Sequence, residues 1–115
     1  MRIGELARRT GVSPRALRYY EEHGLLRPDR EHNGYRDYPE QSVTAVANIQ
    51  HLLASGLQMR EILMLGECVI ERDLATEPAC ADVIAAYTHR RDSVAQRLEE
   101  LHEQHRRLSA TLADL

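Results

Sequence analysis

From Tyr87 to Leu115 an apolar residue returns every seven positions, as Tyr87, Val94, Leu101, Leu108 and Leu115. Ile84, Leu98 and Leu112 fill a companion position three residues earlier, a row that Arg91 and His105 interrupt. A heptad repeat of this kind marks a helix whose apolar seam faces another helix. If the helix starts just after Pro78, its length of about 37 residues reaches roughly 55 Å. An earlier, shorter helix of the same chain cannot cover such a stripe. The seam therefore requires a second copy, with Ile84, Tyr87, Val94, Leu98, Leu101, Leu108 and Leu112 at the interface. Arg91 and His105 in that seam would fix register or orientation at some cost in stability.

Ahead of this helix the sequence breaks into short elements. Ile3, Leu6 and Ala7 fall at helical spacing until Thr10-Gly11, where glycine supplies a turn. Ser13 then stands as a capping residue before Pro14, and a second helix is expected to run to about His23 and stop at Gly24. Two short helices around such a turn make a helix-turn-helix, whose second helix can enter a major groove. Leu25-Leu26 and Tyr35-Arg36, around a turn at Asn33-Gly34, read as the two short strands of a wing. Val43, Val46, Ile49, Leu52 and Leu53 predict a third helix ending at Ser55-Gly56. Met59, Ile62, Leu63 and Leu65 predict a fourth that fades near Arg72, and Thr76 with Pro78 marks the start of the long helix. The expected fold is mainly α: a winged helix-turn-helix head over residues 1–72, then a linker and a long antiparallel coiled-coil dimerisation helix over 73–115.

Charge supports a division of labour. Residues 1–36 hold eight arginines against five acids, whereas residues 37–115 hold seven against thirteen. A basic patch on an otherwise acidic chain is the electrostatic footprint of a nucleic-acid reader. All fifteen cations are arginine, which suits bidentate phosphate contacts and also a GC-rich coding sequence. No stretch approaches the roughly 18 apolar residues of a membrane span, and Arg2, Glu5, Arg8 and Arg9 break any apolar signal core, so a cytoplasmic protein is expected.

The run IGELARRTGVSPRALRYYEEHGLLRPDREHNGYRDYPE at residues 3–40 closely resembles the DNA-binding domain of the MerR family of transcription regulators. GLQMREI at residues 56–62 is similar to the second wing of that family, and with the long helix the resemblance spans nearly the whole chain. It implies a homodimer on double-stranded promoter DNA, distorting an over-long promoter spacer for RNA polymerase. The family analogy assigns Ser13, Arg15, Arg18 and Tyr19 of the second helix to DNA, with Tyr20 a further candidate. In the wing it implies Arg36 on the phosphate backbone, with Tyr35 and Tyr38 supporting or contacting it, and in the second wing Arg60 on a phosphate.

The physical chemistry of these residues agrees. Arg15, Arg18 and Tyr19 stand at three- and four-residue spacing and share a helix face. Arginine forks can meet guanine edges or phosphates there, while tyrosine hydroxyls bond phosphate oxygens. Tyr20 lies about 100° around the helix from Tyr19, so that one tyrosine can meet DNA while the other packs inward. Tyr38 is equally readable as half-buried core.

Cys68 and Cys80 are the two thiols, and the resemblance implies cysteines in a loop beyond the dimer helix that residues 1–115 do not contain. The expectation is a short form without a separate effector domain. The pair could simply pack, close a disulfide or share a thiophilic metal ion with His89 as a further ligand, though two ligands are few for a tetrahedral site. Beyond that ion no cofactor is indicated. There is no nucleophile elbow, phosphate-binding glycine loop or paired-histidine metal motif, so the chain reads as a non-enzyme. A DNA-architectural or excisionase-like winged-helix protein without an inducer is the rival, and a dimeric interaction module without DNA binding is a weaker one.

Overall fold

A computed structural model describes all residues 1–115. The order is α1 (Ile3–Thr10), α2 (Pro14–Glu22), β1 (Asp29–Arg30), β2 (Arg36–Asp37), α3 (Glu40–Ala54), α4 (Met59–Leu63), α5 (Glu67–Ile70) and α6 (Ala81–Ala113). Leu6, Leu17, Val46, Ile49 and Ile62 are fully enclosed where α1, α2, α3 and α4 meet, and Val69 of α5 joins them. These are the positions that helical spacing in the sequence puts on one face of each segment.

α1 ends at Gly11, whose φ of 74° provides the left-handed turn that an L side chain adopts only with strain. α2 begins as its sequence dictates, with the Ser13 hydroxyl accepting from the Ala16 amide at 3.2 Å and Pro14 in the first turn. The wing is a two-stranded antiparallel hairpin pairing Asp29 with Asp37 and Arg30 with Arg36. Its turn closes with the Gly34 amide on the Glu31 carbonyl at 2.9 Å.

Three expectations from the sequence are corrected. Leu25 and Leu26 are not strand residues; they are buried to 1% and 2% exposure and anchor the chain to the core before the hairpin starts at Asp29. The fourth helix is two helices, because Gly66 takes φ 48° and ψ −110° between Leu63 and Glu67. The long helix starts at Ala81 with Cys80 as its N-cap, and it has 33 residues. Residues 73–77 instead form a turn in which the Asp73 carbonyl accepts from Thr76 and Glu77 and its carboxylate from Ala75.

Asn48 of α3 holds this region together from inside. Its amide donates to the carbonyls of Val69 at 2.8 Å and Arg72 at 2.6 Å, and its oxygen accepts from the Leu74 amide at 3.1 Å. One buried side chain thus satisfies three backbone groups that the break at Gly66 and the following turn leave without helical partners. α6 then packs its first turns on the head, with Val83 buried and Ala86 and Tyr87 against the core. The rest projects away. The molecule extends 74 × 30 × 20 Å with a radius of gyration of 19.8 Å, against about 13 Å for a compact chain of this length.

Candidate nucleic-acid interface

α2 divides its residues cleanly between core and solvent. Leu17 and Tyr20 point inward at 0% and 6% exposure, whereas Arg15, Arg18 and Tyr19 are exposed on the opposite side, and capping Ser13 is exposed too. Tyr19 is braced rather than loose. Its ring lies 4.1 Å from that of His23, and the His23 Nδ1 is 2.9 Å from the Tyr19 carbonyl oxygen. Of the two adjacent tyrosines the structure presents Tyr19 to solvent and packs Tyr20 into the head, where burial raises its pKa.

The wing is fastened to α2 by one carboxylate. Glu21 accepts from the Tyr38 hydroxyl at 2.7 Å on one oxygen and from the Arg36 Nε at 2.8 Å on the other. Tyr38 is 1% exposed, so it is a core residue that positions the wing. Burial, reinforced by the hydrogen bond to Glu21, pushes its phenol up to about 12. Arg36 remains about half exposed beside it. Tyr35, 58% exposed, carries the Arg2 guanidinium over its ring at 4.0 Å. Arg2, Arg18, Tyr35 and Arg36 line a common groove between α1, α2 and the wing, with Glu21 and Glu22 in its wall. An open surface with cations on two elements of one rigid head can follow a phosphate backbone while a helix enters the groove beside it.

Arg60 is exposed in the first turn of α4. That turn is closed by the Gln58 amide on the Glu61 carboxylate at 2.9 Å. Arg90 reaches back from α6 to the Gly56 carbonyl at 3.3 Å and lies 4.0 Å from Glu61. The second wing is therefore tied to the long helix.

On α6 the seam divides. Tyr87 packs half-buried on the head, while Ile84, Val94, Leu98, Leu101, Leu108 and Leu112 stand 44–70% exposed. Cys68 and Cys80 are joined by a disulfide, with Cα atoms 6.3 Å apart. No group of three or more histidine, cysteine or carboxylate side chains that could hold a metal ion is gathered there or elsewhere in the chain.

Sequence reasoning missed Arg2, Glu21 and Arg90. Each acts through a partner distant in sequence, 33 residues away for Arg2 with Tyr35 and 34 for Arg90 with Gly56. Glu21 had a faint signal, because it lies three residues beyond Arg18 on the same turn of helix.

A model of the MerR HTH family of regulatory proteins matches residues 1–65. The HTH-type transcriptional regulator HmrR of Rhizobium leguminosarum bv. viciae is 33% identical over 108 residues, which is 94% of this chain and 81% of that protein. Among solved structures, the transcription regulator PbrR691 from Ralstonia metallidurans CH34, in complex with lead(II), matches with a TM-score of 0.74 and 29% identity over 94% of this chain and 81% of that one. HiNmlR, a MerR family regulator lacking the sensor domain and bound to promoter DNA, shares the fold with a TM-score of 0.58 and 24% identity over 97% of this chain and 86% of its own. No helix here is long and apolar enough to cross a membrane. With the family model covering more than half of its length, the chain belongs to the MerR HTH family of regulatory proteins, and it is a DNA-binding transcription regulator rather than an enzyme.

Proposed function

We propose that two copies associate in the cytoplasm through antiparallel α6 helices and grip successive major grooves of one inverted-repeat promoter site. Residues 1–72 supply the DNA-binding head and 73–115 the linker and dimerisation helix. In each head Arg15, Arg18 and Tyr19 meet the major groove, Arg36 and Tyr35 meet phosphates from the first wing, and Arg60 does so from the second. Ser13, Tyr20 and Tyr38 act indirectly, capping α2 and setting the angle between helix and wing. The observation that carries this reading is the Glu21 link, which fixes exposed Arg36 relative to exposed Arg18 so that both elements engage one DNA surface together.

By bending its site the dimer brings the two polymerase-contacting elements of an over-long spacer into line for RNA polymerase. Bending by tens of degrees costs on the order of 1–6 kcal/mol, which contacts from four wings offset. Footprinting on the DNA upstream of its own gene tests the proposal. A palindromic footprint with hypersensitive cuts at its centre is the expected result; a continuous coat points to an architectural protein, and no protection overturns the reading.

A further inference from the structure

The Cys68–Cys80 bond joins two elements that are attached to the molecule very differently. α5, which carries Cys68, is clasped by α3: Gln41 donates to the Ile70 carbonyl at 2.6 Å and Asn48 to that of Val69 at 2.8 Å. On its other side Arg27, just before the first wing, pairs with Glu67 at 2.7 Å. Cys80 is the N-cap of α6, which rests on the head through its first turns and then leaves it. The bond therefore lies at the joint between the DNA-binding head and the dimer helix.

We infer that Cys68 and Cys80 form a reversible dithiol–disulfide site, oxidised by hydroperoxides, that sets how firmly each head is held on the dimer helix. The inference rests on the chain acting as a dimeric DNA-binding regulator. Three observations carry it: both side chains are half-buried rather than sealed in the core, their Cα separation of 6.3 Å suits a disulfide, and the bond is the one covalent cross-link between elements otherwise joined only through the intervening loop. A cytoplasmic pair of this kind is held as thiols by the cellular thiol pool and becomes a disulfide only when an oxidant arrives.

Cys80 is the attacking sulfur, because the free N–H groups at the start of a long helix favour a thiolate there. Its thiolate attacks one oxygen of the hydroperoxide; the O–O bond breaks, and the leaving oxygen departs as water or an alcohol after taking a proton. Cys80 is now a sulfenic acid. The Cys68 sulfur displaces its hydroxyl, which leaves as water with the Cys68 proton, and the S–S bond forms. Two thiols and one hydroperoxide thus give one disulfide, one water and one further water or alcohol, with two electrons passed to the peroxide. Thiol–disulfide exchange with a low-molecular-weight thiol restores the pair.

The full-length dimer is treated with stoichiometric hydrogen peroxide, trapped with an alkylating reagent and weighed, while its affinity for the DNA upstream of its own gene is measured in both states. Two alkylatable thiols should fall to none within one chain and return with dithiothreitol. Dimedone should label Cys80 in Cys68→Ser but leave Cys68 unlabelled in Cys80→Ser. Oxidised and reduced protein should differ at least about fivefold in affinity or in transcription from that promoter, and Cys68→Ser/Cys80→Ser should not respond. Thiols that persist under peroxide, or a disulfide that leaves both affinity and transcription unchanged, overturn the inference. If neither redox state nor the double variant binds DNA, it is the regulator reading that fails, and the regulatory half of this inference fails with it.

Discussion

The head and the distal part of α6 are built from similar apolar residues and treat them in opposite ways. In the head Leu6, Leu17, Ile49 and Ile62 are all enclosed, whereas Leu101, Leu108 and Leu112 on α6 are 44%, 61% and 70% exposed. The difference is geometric. Short helices joined by glycine-containing turns fold back on one another and close a core, but a straight helix of 33 residues can only offer its stripe outward. One region is a finished domain, the other half of an interface.

The sharpest way to break that contrast is a charge in the stripe. Leu101→Asp should dissociate the dimer and leave the head folded, and Leu108→Asp should do the same. Each substitution enters twice in a symmetric pair, so losing about 2 kcal/mol of leucine burial per copy weakens dimerisation on the order of a thousandfold. Sedimentation gives the mass, and circular dichroism shows whether the head still melts cooperatively. A variant that remains dimeric would place the interface elsewhere.

Asn48→Ala tests the other side, and here the head should fail first. Its side chain satisfies the carbonyls of Val69 and Arg72 and the amide of Leu74, so removing it strands three partly or fully buried backbone groups at a cost of about 3 kcal/mol or more. The melting temperature should fall by about ten degrees or more, and an unchanged melting temperature would show that water replaces the amide.

The sequence disclosed what repeats and what is local. The heptads announced α6, and Ser13, Pro14 and Gly11 marked α1 and α2, because periodicity and capping act over a few residues. Gly66 was passed over because Ile62, Leu65 and Val69 keep apolar residues coming through the break, and periodicity cannot see a single positive φ. The sequence left Tyr38 equally readable as core or as a DNA contact, because nothing local to the wing tells which tyrosine enters the core. The contacts that assemble the site, Glu21 with Arg36 and Tyr38 or Arg2 with Tyr35, span 15 to 33 residues of sequence. Such distances leave no local pattern to read.

Substitutions on the DNA face separate the regions again, since they should spare both the core and the dimer. Arg18→Ala is expected to weaken binding to the promoter site by about 1–3 kcal/mol. Arg36→Ala should cost less, because Glu21 already partly neutralises that guanidinium. Each lost phosphate contact lowers the salt slope of binding by about one. Fluorescence titration at two or more salt concentrations measures both effects, and equal affinities for both variants and the native protein would remove α2 and the wing from the interface.

The smallest expected effect belongs to Tyr38, which is core and site at once. Tyr38→Phe keeps the ring in place and removes the hydrogen bond to Glu21, a loss of about 1 kcal/mol in stability at neutral pH. Alkaline pH probes the same bond without mutation. The folded phenol is raised to about 12 against about 10 for the unfolded chain, so the folded state holds this proton more tightly. Its contribution is complete below pH 10 and falls away as pH climbs from about 10 through 12. In denaturant titrations the native protein should lose about 1 kcal/mol more than Tyr38→Phe between pH 9 and pH 11. Tyr38 lies in the head and outside the dimer seam, so sedimentation over the same range should change alike in both proteins. Parallel stability curves would mean that the Tyr38 proton is held no more tightly in the folded state than in the unfolded chain, so that neither burial of the ring nor Glu21 raises the phenol.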